Sequence, residues 1–393
     1  MPAGKVYTKI GQLLEQHVDE QVDESTRERL KLLVTGILES KSASPARIAR
    51  AIKTLGLSEA QVDSIERRVR RLENDPEIDA ALCFHPLARQ RLIMGRPQEL
   101  ILIMDPTTQD DRVVMLTAAV WYRGRSLPIA WATWPANRPL VGARFWERVA
   151  ALLERVAELL PKHTPVIWLA DRAFGTPAFT DLLVKYGWFY VVRVQGHTRC
   201  KDRRGVERQI AATVRLPRQR CKLRGWVFKK RGWREASVVV YWGRRQKAPM
   251  CLVSNLGAKW HLIRLYRQRY PIEALFRDYK SHGWHWEHGQ VTDLDHLERL
   301  LVGMALATWI AIFVGTHVAA EILARPPTGR RRTVPWQGKR SLFNLGLARL
   351  DAWLHGNCCD PLGPWRLSDW EAPNWQSQIY FHHARAFVFA ARL

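Results

Sequence analysis

The chain has 393 residues, of which 47% are hydrophobic, so it is long enough for two or three domains around a sizeable core. Lysine and arginine number 61 against 37 aspartates and glutamates, which gives a formal net charge of +24 and favours a polyanionic partner. The six cysteines form no Cys-x-x-Cys pair, which argues against a zinc knuckle, and the adjacent Cys358 and Cys359 are expected to be reduced thiols in a cytosolic protein. No secretory signal is visible at the polar N-terminus.

Residues 1–95 are predicted to be helical. One helix is expected over residues 27–39, and Ser44 with Pro45 opens a second as N-cap and first-turn proline. Residues 58–61 resemble a capping box that would open a third. Such helices could form a helix-turn-helix-like reader of DNA or a helical bundle with a solvated basic face. The basic side chains around these helices are Arg47, Arg50, Lys53, Arg67, Arg68, Arg70 and Arg71.

Two apolar runs further along the chain each end in an aspartate, Asp105 and Asp171. Continuous apolar runs of this length indicate strands buried on both faces, so each aspartate would lie at the edge of a sheet, where ligand sites occur. Pro106 favours extended backbone at Asp105. The alternative is that an aspartate after a strand merely starts a turn. Two rivals of Asp105, Asp110 and Asp111, lie in a polar stretch and would be solvated.

The order of elements predicts a mixed α/β sheet. Strands are expected at residues 100–105, 113–121, 127–134 and 166–171, with a helix at residues 143–160.

A second, β-rich segment is predicted at about residues 195–256, with short β-branched or aromatic runs near and within it. Tryptophan faces in such a basic segment could hold an unstacked base, although most tryptophans are core residues. The candidates are Trp226, Trp233, Trp242 and Trp260.

Four residues after this segment are separated by offsets of 3, 4 and 7, namely Tyr266, Arg269, Glu273 and Lys280. On one helix they would fall within roughly 60° of one another, so a carboxylate would be flanked by two cations and a phenol. The alternative is a surface helix with ordinary charge pairs. Pro271 belongs in a first turn, so the helix is expected to begin near Tyr270, with Tyr266 and Arg269 on the approach to it.

The spacing Tyr-x2-Arg-x3-Glu-x6-Lys resembles the signature of bacterial insertion-sequence transposases of the Asp-Asp-Glu type. The segments at Asp105 and Asp171 resemble the Asp-x-Thr and Asp-Arg-Gly-Phe motifs of the same family. There are two departures: Pro106 follows the first aspartate, and Ala173 replaces the usual glycine. Neither departure removes a carboxylate.

The resemblance implies a ribonuclease-H-like α/β fold with a mixed sheet and a β-rich insertion between the second aspartate and the glutamate. It divides the chain into an α-helical end-binding domain (1–95), a catalytic domain (96–325) and a linker with a dimerisation or packing region (326–393). Within the last region, residues 326–335 read as a linker, residues 341–354 as an amphipathic helix, and residues 365–393 as aromatic and mixed.

The resemblance also implies the chemistry, which is metal-dependent cleavage at the ends of the element and strand transfer into target DNA. Asp105, Asp171 and Glu273 would bind two Mg²⁺ ions, with Mn²⁺ able to substitute. The expected partners are double-stranded DNA, as terminal inverted repeats and as target, and a second protomer in a synaptic dimer. The expected location is the cytoplasm, at the nucleoid. The residues expected to contact DNA are Tyr266, Arg269, Lys280 and Arg172.

Residues 300–320 carry no charge and are long enough to span a bilayer, but a helix that is apolar all round can equally be buried in a protein core, as we expect here. Three other functions stay open. They are a ribonuclease-H-like nuclease without strand joining, a catalytically silent DNA-binding regulator derived from a transposase, and a membrane protein.

Overall fold

The computed structural model describes residues 2–72, 75–95, 97–289, 291, 293–324 and 341–356. In this part of the chain, helices come first, as the sequence predicts. The N-terminal helices are α1 (Pro2–His17), α2 (Glu24–Ser40), α3 (Pro45–Thr54), α4 (Val62–Leu72), α5 (Ala80–Cys83) and α6 (His85–Met94).

The predicted capping box at residues 58–61 is wrong, because α4 begins only at Val62. The Ser58 hydroxyl accepts a hydrogen bond from the Ala60 backbone N–H, at 3.3 Å. A serine that bonds to the backbone nearby stabilises a turn in competition with a helix. The position of Ser44 before Pro45 is confirmed, since α3 begins at that proline.

A ten-stranded mixed sheet follows, which confirms the predicted α/β class. The strands are β1 (Leu100–Gln109), β2 (Val113–Tyr122), β3 (Arg125–Pro135), β4 (Val166–Ala170), β5 (Phe189–Arg193), β6 (Arg199–Asp202), β7 (Glu207–Gln209), β8 (Arg220–Val227), β9 (Arg234–Tyr241) and β10 (Met250–Ser254). Their spatial order is β3-β2-β1-β4-β5-β10-β9-β8-β6-β7. Strands β1, β4 and β5 run parallel to one another, and the other pairs are antiparallel.

The expected end of the first strand at Asp105 is wrong, since β1 continues to Gln109. The antiparallel partner β2 pairs with every residue from Asp105 to Gln109. On its other side, β1 pairs with β4 only as far as Met104. Pro106 therefore lies where one side of β1 has no strand neighbour, which is where a strand tolerates a proline without an N–H.

The β-rich segment extends the same sheet. Strand β10 pairs with β5, and β9, β8, β6 and β7 continue outward from it. The hydrogen-bonded ladder is therefore continuous from β1 to the far edge of the insertion.

Helices cover and flank this sheet. Helix α11 (Leu294–Ala324) is buried against α2, β3 and α12 (Leu342–Leu354). The described residues contain one helix, Leu294–Ile322, that is long and apolar enough to cross a membrane, and 94% of its most apolar window is buried. That burial is typical of a core helix. The remaining helices are α7 (Ala143–Leu159), α8 (Pro177–Lys185), α9 (His261–Arg267) and α10 (Pro271–Arg277).

Helix α12 confirms the helix predicted at residues 341–354, and Ser341 caps it by accepting a hydrogen bond from the Asn344 N–H. It crosses α11 at two glycines. A Cβ on Gly315 would collide with the Leu342 carbonyl oxygen, and one on Gly346 with that of Ala311. The predicted linker at 326–335 and the aromatic segment at 365–393 lie outside the described residues.

Candidate active site

Asp105 and Asp171 meet at one level of the sheet. In the parallel pair, Met104 lies opposite Ala170, and each aspartate is the next residue of its chain. Asp105 remains in β1, whereas Asp171 leaves β4 and caps a short 3₁₀ helix, Arg172–Phe174. The Asp171 Oδ1 accepts a hydrogen bond from the Ala173 N–H, at 2.8 Å. Because only the backbone of residue 173 is used, alanine serves there as well as glycine.

Arg269 connects Asp105 to Glu273. Its Nη1 donates to the Asp105 Oδ2 at 2.7 Å, and its Nη2 donates to the Glu273 Oε1 at 2.8 Å. The Arg269 and Asp105 side chains are only 11% and 13% exposed, whereas that of Glu273 is 57% exposed. A planar guanidinium can satisfy two carboxylates at once in this way. The Arg269 guanidinium thus lies between a carboxylate on a strand and a carboxylate on a helix.

The carboxyl group of Asp105 has an unusual protonation equilibrium. Burial raises its pKa to about 7, the negative charges of Asp171 and Glu273 act in the same direction, and Arg269 opposes them. Burial also opposes the charge of Arg269, yet the neighbouring Asp105 and the other anionic groups raise the pKa of that guanidinium. Three acidic groups and the Arg269 guanidinium therefore share one electrostatic environment.

Tyr266 is buried on α9, with 2% of its surface exposed. Burial raises the pKa of its phenol to about 12, partly offset by Arg269 and Arg193, while Asp171 raises it further. The hydroxyl thus stays protonated near neutral pH and remains a hydrogen-bond donor beside the acidic groups.

Tyr266, Arg269, Glu273 and Lys280 do not lie on one continuous helix. The reason is Pro271: α9 ends at Arg267 and α10 begins at the proline, with Tyr270 before it as N-cap. The predicted helix start near Tyr270 is confirmed. Arg269 lies between the two helices. It contacts Glu273 because it precedes that residue by about one helical turn.

Lys280 lies in a π-helical turn, Asp278–His282, that follows α10. Its Nζ is 3.5 Å from the Glu287 Oε1, and its side chain is 28% exposed. At the start of this turn, Asp278 forms a buried ion pair with Arg125 of β3. Within the described part of the chain, Lys280 pairs with Glu287 and with none of the three carboxylates, so it lies outside the cluster that Arg269 organises.

Arg172 is exposed immediately after Asp171 and lines a cavity of about 420 Å³ between the Asp171 loop and the insertion. The rest of this basic lining was not predicted, although the sequence has a run of three cations at residues 229–231. The lining also includes His197, Arg199, Lys229, Lys230 and Arg231.

The rival aspartates Asp110 and Asp111 are exposed in the turn between β1 and β2, and Asp110 has a positive φ of 47°. They are solvated, as predicted from the polar stretch.

Residues 147–310 match the family model of the transposase DDE domain. The matched stretch contains Asp171 and Glu273, begins after Asp105, and spans less than half of the chain. No curated protein matches the sequence. Among solved structures, a piggyBac transposase synaptic complex with hairpin DNA aligns with a TM-score of 0.46 and 12% identity, covering 92% of this chain and 80% of that one.

The β-rich insertion lies inside the stretch that matches the transposase DDE domain, and the four candidate tryptophans are all half-buried. Cations cover several of them. The Lys201 Nζ lies 5.2 Å from the ring centre of Trp226 and 4.9 Å from that of Trp233. Arg220 lies 4.7 Å from the ring of Trp260. Trp242 instead donates from Nε1 to the Gln246 carbonyl oxygen, at 2.9 Å.

The acidic groups fit hard divalent cations by their chemistry, because Mg²⁺ and Mn²⁺ prefer carboxylate oxygens. The distances between the carboxylates, however, are those of a cluster held together by Arg269. In the described part of the chain, the one trio of possible ligand atoms within 4.8 Å of one another is formed by Glu39, Asp351 and His355. Asp105, Asp171 and Glu273 do not approach so closely, since Arg269 lies between two of them.

Proposed function

We propose that this chain is a DNA transposase of the Asp-Asp-Glu type, which cleaves the ends of a bacterial insertion sequence and joins them to target DNA by a cut-and-paste route. One observation carries the proposal: Arg269 joins Asp105 to Glu273 at the level of the sheet where Asp171 follows β4. Two carboxylates distant in sequence thus contact one cation, and the charge of the third, Asp171, acts on the same guanidinium. The match of residues 147–310 to the transposase DDE domain supports the same function.

Asp105, Asp171 and Glu273 are the proposed ligands of two Mg²⁺ ions, or of Mn²⁺. Bound there, the ions would activate the attacking oxygen and stabilise the leaving 3′ oxygen of the phosphodiester. The strand order β3-β2-β1-β4-β5 of the first five strands supports a ribonuclease-H-like core.

The residues around the carboxylates have separate proposed roles. Asp105 must lose its proton to serve as a ligand, and its raised pKa makes this a step sensitive to pH. Arg269 offsets the negative charge of the cluster and has the planar fork that suits phosphate oxygens. Tyr266 offers a protonated hydroxyl, and Lys280 a partly exposed charge, for the DNA backbone.

Duplex DNA is the proposed partner, both as terminal inverted repeats and as target. The basic cavity beside Arg172 supports backbone contacts close to Asp171. Helices α3 and α4 contact each other and carry exposed arginines at positions 47, 50, 67, 68, 70 and 71, which supports end recognition by this pair. A dimer would let two ends be cut together, in the cytoplasm at the nucleoid.

The test uses the purified full-length protein with duplex DNA that carries the sequences flanking its own gene, in Mg²⁺ or Mn²⁺. We expect 3′-end nicking followed by strand joining, and both should be lost in Glu273→Gln. Nicking without joining would support a nuclease instead. Binding without cleavage would support a silent DNA-binding regulator, and cleavage by Glu273→Gln at the wild-type rate would refute the proposed ligands.

A further inference from the structure

Three metal-binding side chains outside the proposed active site converge where α2 and α12 end. Glu39 lies in the last turn of α2, Asp351 in the last turn of α12, and His355 is the C-cap of α12. One possible ligand atom of each lies within 4.8 Å of the other two. The His355 Nε2 is 3.1 Å from the Glu39 Oε1.

The local charge favours a cation. Two helix C-termini meet here, and each carries a partial negative charge. Lys41 neutralises one carboxylate, with its Nζ 2.7 Å from the Asp351 Oδ1. The carboxylates of Glu39 and Asp351 thus carry one more negative charge than the ammonium group of Lys41 balances.

Glu39 also has unused binding capacity. Its side chain is only 11% exposed, and its Oε2 is fully buried without a hydrogen-bond partner among the described residues. A buried carboxylate oxygen without a partner is costly, and coordination of a metal ion is one way to satisfy it. The His355 side chain is 44% exposed, so an ion and its remaining water ligands can reach the site from solvent.

We propose that Glu39, Asp351 and His355 form a binding site for a divalent transition-metal ion, best matched by Zn²⁺, which ties the end of α2 to the end of α12. One imidazole and two carboxylates suit Zn²⁺, because histidine nitrogen and carboxylate oxygen are both common zinc ligands. Mg²⁺ fits poorly, since it prefers an octahedral shell of oxygens. The site is therefore chemically distinct from the all-carboxylate cluster around Arg269.

The competing explanation is an ion pair between Glu39 and a protonated His355, with no metal. The two explanations predict different responses to Zn²⁺. A metal site binds the ion through His355 and becomes more stable, because an ion that binds only the folded chain raises its melting temperature. An ion pair gains nothing from the ion.

The experiment measures Zn²⁺ binding calorimetrically and Tm with and without Zn²⁺, on full-length protein freed of metal. The background is Asp171→Asn/Glu273→Gln, which removes two of the proposed catalytic ligands. In this background we expect one Zn²⁺ per chain and a Tm increase of about 3 °C or more at saturating Zn²⁺. Adding His355→Ala should weaken binding by at least about tenfold and remove the increase, since even outer partners of a metal site contribute that much.

Three further variants in the same background complete the test. Glu39→Gln keeps the shape of the buried side chain and should also weaken binding at least about tenfold. Lys41→Met removes the competing ammonium group and should tighten binding. The matched control is His163→Ala, an exposed histidine in a turn elsewhere, which should change nothing. Absence of Zn²⁺ binding in the background protein, or equal binding by the His355→Ala and His163→Ala variants, would overturn the proposal and leave the ion pair.

Discussion

Arg269 donates to Asp105 across 2.7 Å, from a turn between two helices to the middle of a strand 164 residues earlier in the chain. With its second amino group it holds Glu273, so the guanidinium occupies the space between two proposed metal ligands. A buried cation in that position compensates carboxylates that would otherwise repel one another. Divalent ions and the Arg269 guanidinium would therefore compete for the same oxygens.

The first prediction concerns this competition. Arg269→Met should destabilise the metal-free protein by about 3 kcal/mol, because it leaves the buried Asp105 without its partner. Mg²⁺ should then restore more stability to the variant than it adds to the wild type. Urea unfolding with and without Mg²⁺ measures both effects. Arg267→Met, at the neighbouring exposed arginine, is the control. Equal behaviour of the two variants would contradict the bridging role.

A second prediction is that cleavage depends on the proton of Asp105. Its pKa of about 7, against 3.8 for an unperturbed group, means that much of it is protonated at neutral pH without metal. Metal-dependent cleavage should therefore increase as the pH rises through about 7. At subsaturating Mg²⁺ the dependence should be steepest, since protons and metal compete. A cleavage rate that is flat across pH 7 at low Mg²⁺ would count against Asp105 as a ligand.

The same pKa also predicts how the stability of the folded protein depends on pH. Stability should decrease over the pH range in which cleavage increases. Between pH 3.8 and about 7 the folded protein keeps a proton on Asp105 that the unfolded chain has lost. Because the folded state binds more protons in this range, the contribution of this group to the free energy of unfolding falls as the pH rises. Asp105→Asn lacks the group. The stability of the metal-free wild type relative to Asp105→Asn should decline from pH 4 to pH 7, and a constant difference would argue against the raised pKa.

A third prediction separates the proposed ligands from their acidic neighbours. Asp171→Asn and Glu273→Gln should each reduce DNA cleavage by at least about a hundredfold, because metal assistance provides several kcal/mol of transition-state stabilisation. Binding to the element's ends should change little. Asp110→Asn is a matched control, since this exposed aspartate lies in the turn that follows β1. Cleavage and gel-shift assays on the same DNA give both quantities.

The fourth prediction concerns Lys280, which the predicted signature assigns to the DNA backbone. Lys280→Ala should weaken binding to the ends and lower the slope of log affinity against log salt by about one, as expected for one lost phosphate contact. Lys162→Ala, at an exposed lysine before β4, provides the comparison. If the salt slope of Lys280→Ala equals that of the wild type, Lys280 only pairs with Glu287 on the surface.

Sequence reasoning was most successful where one local signal decides the structure. Pro271 fixed the start of α10, and the apolar run before Asp171 predicted β4 to within one residue. It was less successful where a distant partner decides. Strand β1 extends past Asp105 because β2 pairs with it, and the polar β6 and β7 form strands because β6 pairs with β8 and β7 pairs with β6.

The candidate site, too, could be predicted only where a local signal in the sequence decides the structure. Residue types and order were sufficient to select Asp105, Asp171 and Glu273, but the role of Arg269 between two of them depends on how α9 and α10 meet the sheet. The basic lining beside Arg172 was missed for a related reason. Its members come from the Asp171 loop and from the insertion, and only the folded chain brings them to one cavity.

The continuous ladder from β1 through β5 to β6 has a mechanical consequence. Backbone hydrogen bonds join each strand to the next, so the ladder is unbroken between β4, which ends just before Asp171, and β6, which begins at Arg199. The sheet therefore constrains the distance between Asp171 and Arg199, which lines the cavity from the insertion. A phosphate group bound by Arg199 would lie at a distance from Asp171 that the width of the sheet determines.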